Sequence, residues 1–375
     1  MDPNLQPLFK TDDISTVPAK LLWHFFLRHF FNSKLSFAYT FITLGLCFLC
    51  TTLAIKGILL SDKSDVFFIS ENIQTCVLMA HITGNVLNLQ ATKQDLLYLL
   101  KQKSKFWKVT DFDNKLLSNE SLKTNNFMRK FVRYAVIISV LTAVLFDLQP
   151  FVTGSLPSVC YVPDGWFGYL TVMLWYLSMI TSISVTGTAT LFCTLAVSLA
   201  EQFHLLAHNF KSMCNNRSDD IWKELEVLVE HHNFLISYFG KLNTAFGNMF
   251  LLLFIISISS ASVAVFILMQ PGIWTNRIKC GTYFCSVIIE IGFYCVPAEI
   301  VTNTALRLDR VLYDSGWYDI NTISLKKCLP LVTSRAQRPM VFSGYGLINM
   351  NLNTYVSICK TVFSFYTYLN SVKKL

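Results

Sequence analysis

The chain has 375 residues, 53% of them hydrophobic and only 14% charged, with a mean hydropathy of +0.45. Soluble domains carry about 25% charged residues, so this composition excludes an ordinary soluble protein and points to several membrane spans. The net charge of +8 is scattered through the connections between apolar runs, which makes it a signal of membrane orientation; no nucleic-acid partner is expected.

The first 34 residues hold no early apolar run followed by a small-residue cleavage site, so the first span is expected to direct insertion itself. Within them, Leu21-Leu-Trp-His-Phe-Phe-Leu-Arg-His-Phe-Phe has the composition of an interfacial helix lying on the inner leaflet. Spans follow near residues 37–55, 67–87, 134–146, 168–200, 246–269, 283–305 and 347–369. The third is short unless it begins near Phe131, and the fourth is long enough to project beyond the bilayer. The expected fold is therefore an all-α membrane protein of seven spans in contact with lipid. Its divisions are an N-terminal segment (1–34), spans one to four (35–200), extensions of spans four and five (201–245), spans five and six (246–305), an anchor region (306–338) and the last span with a short tail (339–375).

Orientation follows from the Lys and Arg count. The N-terminal segment holds four, and the connections after spans two, four and six hold ten, four and six; the other side holds six in all. The N-terminus is thus expected in the cytoplasm and the C-terminus outside, which excludes a G-protein-coupled receptor. No Asp-Arg-Tyr closes span three, and Asp309-Arg310 lies after span six; no G protein is required. The sequons at Asn119 and Asn216 fall on the cytoplasmic side and are expected to be unused.

The connection 201–245 is amphipathic, with Ile221, Leu225, Leu228 and Val229 at helical spacing, so spans four and five are expected to continue as helices into the cytoplasm. With 323–332 they would form a helical platform. His204 and His208, near Glu201, and His231-His232 lie in this region, but no third ligand joins them and no metal is expected. Cys47 and Cys50 in span one are packing groups. Cys160 and Cys280 both fall in expected external loops and form a candidate disulfide, with Cys285 competing; the alternative is that all three are free. Nothing resembles a nucleophile elbow, a phosphate loop or a catalytic carboxylate pair, so no enzyme activity and no cofactor are expected. Glu290, inside span six, is a functional candidate because an acid in a membrane is costly. Glu299 is expected to pair with Arg307 or Arg310, and Lys360 in the last span with an acid or a carbonyl.

The outer halves of spans two, three, four and six can enclose a pocket for a small, volatile, mostly apolar molecule. The candidate lining is Asn72, Thr75 and Met79; Ser139, Thr142 and Phe146; Met173, Tyr176, Leu177 and Ile180; and Tyr283, Phe284 and Val287. The competing reading of these positions is an interfacial belt or plain helix packing.

In the final segment Gly344 and Gly346 interrupt the backbone before the last span. Thr361, Ser364, Tyr368 and Val372 share one helical stripe that suits the wall of a water-filled path closed by its last two members; the alternative is hydroxyls bonded back to their own helix. Here Ser334-Arg-Ala-Gln-Arg-Pro-Met, Ser343-Gly-Tyr-Gly and Thr354-Tyr-Val-Ser-Ile-Cys-Lys-Thr-Val-Phe-Ser-Phe-Tyr-Thr-Tyr-Leu resemble the C-terminus of insect odorant receptors. Leu312-Tyr-Asp-Ser-Gly-Trp-Tyr is similar to the aromatic motif which that family carries after its sixth span. The resemblance implies an odorant-gated cation channel, tetrameric with a shared co-receptor, in the plasma membrane of olfactory neurons, with the last helices lining the pore. Tyr368 is bulkier than the aliphatic residue expected of the co-receptor. The sister gustatory receptors are the alternative, but Thr354-Tyr355 is not followed by their Gln-Phe. No internal repeat supports a transporter.

Overall fold

The computed structural model describes residues 33–62, 65–108, 115–215, 221–268, 274–319 and 323–372. The expected interfacial helix, Asn216 and the tail after Val372 lie outside the described residues. In chain order the helices are α1 (Ser33–Leu60), α2 (Val66–Gln102), α3 (Lys115–Asp147), the short α4 (Gln149–Thr153), α5 (Phe167–Asn215), α6 (Ile221–Leu268), α7 (Trp274–Tyr313), α8 (Ile323–Ala336) and α9 (Leu352–Val372). A two-stranded hairpin, β1 (Ser343–Gly344) and β2 (Ile348–Asn349), precedes α9.

Six of these helices (α1, α2, α3, α5, α6 and α7) are long and apolar enough to cross a membrane. Helix α9, with 21 residues, is the seventh, and its polar side chains keep it below that threshold. The outward surface fits lipid: Phe48 is 72% exposed, Ile137 53% and Phe151 73%. Apolar surface on this scale is untenable in water and costs nothing in hydrocarbon. Hydroxyls inside the helices satisfy themselves by back-bonding, as Thr43 does to the Tyr39 carbonyl (2.9 Å) and Thr171 to that of Phe167 (2.8 Å).

Helices α5 and α6 have 49 and 48 residues. At 1.5 Å per residue each is roughly 70 Å long, more than twice a hydrocarbon core of about 30 Å. Their overrun halves pack together on a buried apolar face that includes Leu206, Phe210, Leu225, Leu228 and Leu235. Gln202 on α5 clamps the chain that leaves α2: it accepts from Trp107 N (2.9 Å) and donates to Trp107 O (3.0 Å). His231 on α6 stacks on the Trp107 ring with centroids 3.7 Å apart. His231 is thus a packing group at this junction.

The last span begins later than its apolar pattern suggests. Leu347 and Ile348 read as the start of a helix, yet Tyr345 (φ 53°) and Gly346 (φ 73°) turn the chain back. The turn closes through Leu347 N to Gly344 O (3.0 Å). The helix then starts after Asn351, whose Oδ1 accepts from Thr354 N (2.8 Å) as an N-cap. Immediately before the hairpin, Phe342 is fully buried. Its ring meets Phe192 of α5 (5.3 Å), Phe239 and Phe250 of α6 (4.6 and 6.1 Å), and Phe192 in turn stacks on Tyr294 of α7 (5.4 Å).

Two further expectations need correcting. Cys160 and Cys280 are both buried and neither is disulfide-bonded. The reason is the loop after α4, which tucks into the bundle through Tyr161 N to Leu53 O (3.2 Å) and Thr75 Oγ1 to Val159 O (2.9 Å). Glu299 does not pair with Arg307 or Arg310. Its carboxylate accepts from Asn303 Nδ2 (3.1 Å) and from Leu352 N (3.3 Å), where it caps α9.

The hairpin yields a test of this packing. A Cβ on Gly344 would stand 3.1 Å from Leu251 N and 3.3 Å from Gly247 O, both backbone atoms of α6, whereas nothing lies within 4 Å of one on Gly346. Gly344→Val is expected to cost about 1–3 kcal/mol. Gly346→Asn should cost less, because Asn tolerates a left-handed φ. Melting temperatures of the two detergent-solubilised variants check the order.

Candidate functional site

A cavity of about 270 Å³ lies between α2, α3, α5 and α7. That volume suits a small organic molecule and little more. Leu78, Met79 and Ile82 on α2, Leu174, Leu177 and Ala189 on α5, and Val287 and Phe293 on α7 give it apolar walls. Ser158, from the tucked loop, forms part of its roof. A hollow of about 30 Å³ adjoins it, shares Leu78, Phe146, Ser158 and Tyr283, and has room for a single water molecule.

Of the sequence candidates, Met79, Ser139, Thr142, Phe146, Leu177, Tyr283 and Val287 line this cavity. Thr75 lines only the small hollow. Asn72 turns to its own helix, donating to Phe68 O (2.8 Å). Tyr176 points to α1, with its hydroxyl 3.3 Å from Thr43 Oγ1 and its ring edge-on to Tyr39. Met173 and Ile180 are buried in the helix core, and Phe284 packs against that core. The α5 face chosen for its aromatic and Met residues is thus rotated away from the cavity. The face that lines it is Leu174, Leu177, Ser178, Thr181, Ser182, Val185 and Ala189. That run of small hydroxyl residues at helical spacing was the signal that could have located it.

The polar groups of the cavity have a common orientation. Thr142 donates to Ser139 O (2.9 Å), Thr181 to Leu177 O (2.7 Å), Thr190 to Thr186 O (2.6 Å) and Ser286 to Thr282 O (2.8 Å). Thr186 donates to Ser139 Oγ (2.7 Å), and Ser139 to Ser182 O (3.4 Å). At one end Glu290 of α7 faces His81 of α2, with Oε1 3.3 Å from Nε2 and side-chain exposures of 11% and 8%. It is the one ion pair among the described residues. A buried carboxylate alone would cost several kcal/mol, and the imidazole offsets part of that.

Helix α7 connects this cavity to α9. Glu290 and Phe293 lie on the cavity side of Pro297, which lacks an N–H and so interrupts the helix hydrogen-bond ladder. Beyond the proline come Glu299, which caps α9, and Thr302, which donates to Met340 O (2.8 Å) ahead of the hairpin. On α9 itself Ile358 and Val362 are buried against the bundle. Thr361, Ser364 and Tyr368 are exposed on a different face of the helix. The side chain of Val372 is outside the described residues. Thr361 also bonds back to Ser357 O (2.9 Å), so that hydroxyl meets the alternative expectation while remaining at the surface. Lys360 is exposed, and no carboxylate pairs with it among the described residues.

A family model for the 7tm Odorant receptor matches residues 96–363. The chain belongs to that family. Curated relatives include Odorant receptor Or2 of Anopheles gambiae, 23% identical over 192 residues, covering 50% of each chain. Odorant receptor 82a of Drosophila melanogaster is 23% identical over 185 residues, covering 49% of this chain and 48% of its own. The chain spans about half the length of these relatives. The fold is similar to that of the insect olfactory receptor OR5 from Machilis hrabei, solved alone and in complex with eugenol. The TM-score is 0.77 at 16% identity, over 91% of this chain and 90% of that one. The chain is therefore an all-helical, multi-pass membrane protein of the odorant receptor family.

Ala143 is 5% exposed and faces the cavity from α3. Ala143→Phe would fill much of the space, and is expected to weaken the binding of a small organic probe in the cavity by about tenfold or more. Binding isotherms of the two detergent-solubilised proteins check this.

Proposed function

We propose that the chain is the odorant-binding subunit of a ligand-gated, non-selective cation channel. It assembles with co-receptor subunits into a heterotetramer in the plasma membrane of olfactory sensory neurons. One observation carries the reading: α7 walls the cavity on one side of Pro297 and holds the start of α9 on the other. A small volatile molecule in the cavity binds the open arrangement more tightly and so shifts the population toward it. Displacement of α7 then moves α9, whose exposed face with Thr361, Ser364 and Tyr368 lines the ion path together with Val372. The complex of the Machilis hrabei receptor with eugenol supports a small organic ligand by likeness. The N-terminus is cytoplasmic, and the overrun halves of α5 and α6 with α8 form the intracellular anchor on which subunits meet.

Whole-cell current to a panel of volatile compounds tests this, with the chain expressed alone and with the co-receptor while G-protein signalling is blocked. Current only in the co-expressing cells is expected. Robust current from the chain alone would make it a self-sufficient pore, and silence in both at normal surface level would remove the channel reading.

A further inference from the structure

Within the channel reading above, the polar groups of the cavity specify the chemistry of its ligand more closely than its apolar walls do. Six cavity hydroxyls (Ser139, Thr142, Thr181, Thr186, Thr190 and Ser286) already donate their hydrogens to protein oxygens. A hydroxyl whose hydrogen is engaged still has an acceptor lone pair, so these groups offer acceptors to whatever enters. Glu290 adds another acceptor. Its Oε1 is buried against His81 Nε2, 3.3 Å away, while the side chain as a whole is 11% exposed and lines the cavity. The Tyr294 hydroxyl, on the next turn of α7, is directed to Thr188 Oγ1 (3.4 Å) and does not serve the carboxylate.

We propose that the cavity selects small apolar molecules bearing a hydroxyl group, with the cavity-facing side of the Glu290 carboxylate accepting the ligand's O–H and His81 holding the carboxylate in place. Acceptor-only molecules of the same carbon skeleton, such as ethers and esters, bring no hydrogen to the carboxylate. Primary amines bring a donor but also a charge. Beside a carboxylate already paired with an imidazolium, that charge leaves the buried site with a net positive charge. A neutral O–H serves the carboxylate without that penalty.

The test is a concentration–response series in cells co-expressing the receptor and co-receptor. Medium-chain and aromatic alcohols, among them octanol and phenylethanol, are each compared with their methyl ether and the matching primary amine. Alcohols are expected to activate at about a tenfold lower concentration than their ethers. In Glu290→Met, which has no comparable acceptor, the two should converge at unchanged surface level. Alcohols and ethers of equal potency in the unmodified receptor, or amines as the best agonists, would overturn the proposal and leave the channel reading intact. An alcohol preference that survives Glu290→Met would also overturn it. Absence of current to every compound at normal surface level would remove the channel reading and this inference with it.

Discussion

The meeting of Phe342 with the helices around the cavity is the contact on which the rest of the molecule depends. This one side chain, with no exposed surface, touches rings on α5 and α6, and through Phe192 it reaches Tyr294 on α7. Truncating a buried Phe costs about 3–5 kcal/mol in a packed core, so the hairpin and α9 cannot drift independently of the bundle. The hairpin is held from outside the aromatic cluster as well, by Asn243 Oδ1 accepting from Ser343 N (2.8 Å) and by Thr302 Oγ1 on Met340 O.

The membrane imposes a second constraint, which shapes the cavity. In hydrocarbon every donor must find an acceptor, and the Ser and Thr residues of α3, α5 and α7 use the nearest one, a carbonyl one turn back. The hydroxyl hydrogens of Thr142, Thr181 and Ser286 are consumed in satisfying the fold, which leaves their oxygens free to act as acceptors. A pocket built from membrane helices rich in Ser and Thr therefore becomes rich in acceptors, and any selectivity for donors in its ligand follows from that. The Glu290–His81 pair is the costly exception in such surroundings. A buried ion pair seldom stabilises a fold relative to apolar side chains of equal volume, which is reason to seek its role in binding.

Much of this was legible in the sequence, and the misses have physical causes. Seven apolar runs marked the spans because the bilayer demands them, and seven cavity positions followed from helical spacing. The start of α9 was misplaced because hydropathy sees Leu347 and Ile348 but not the positive φ at Tyr345 and Gly346 that diverts them into a hairpin. The cavity face of α5 was misjudged because aromatic residues suggested a ligand. Tyr176 in fact serves the α1 contact, and the unremarkable Ser178, Thr181 and Ser182 face the void. Glu290 stood out as an intramembrane acid, while its partner His81 did not, since nothing in a linear pattern joins α2 to α7. The tucking of the loop that carries Cys160 was equally invisible, because a loop between spans looks external until it folds inward.

The central claim is that α7 transmits occupancy of the cavity to α9 through Glu299 and Thr302. The most direct measurement is the odorant-evoked current of Glu299→Ala/Thr302→Val, normalised to surface level, across a full concentration range in co-receptor cells. Neither residue lines the cavity, so the expected result is a maximal current reduced several-fold with little change in the half-maximal concentration. An unchanged maximal current would contradict the account, because the hydrogen bonds assigned to coupling would then be dispensable for gating.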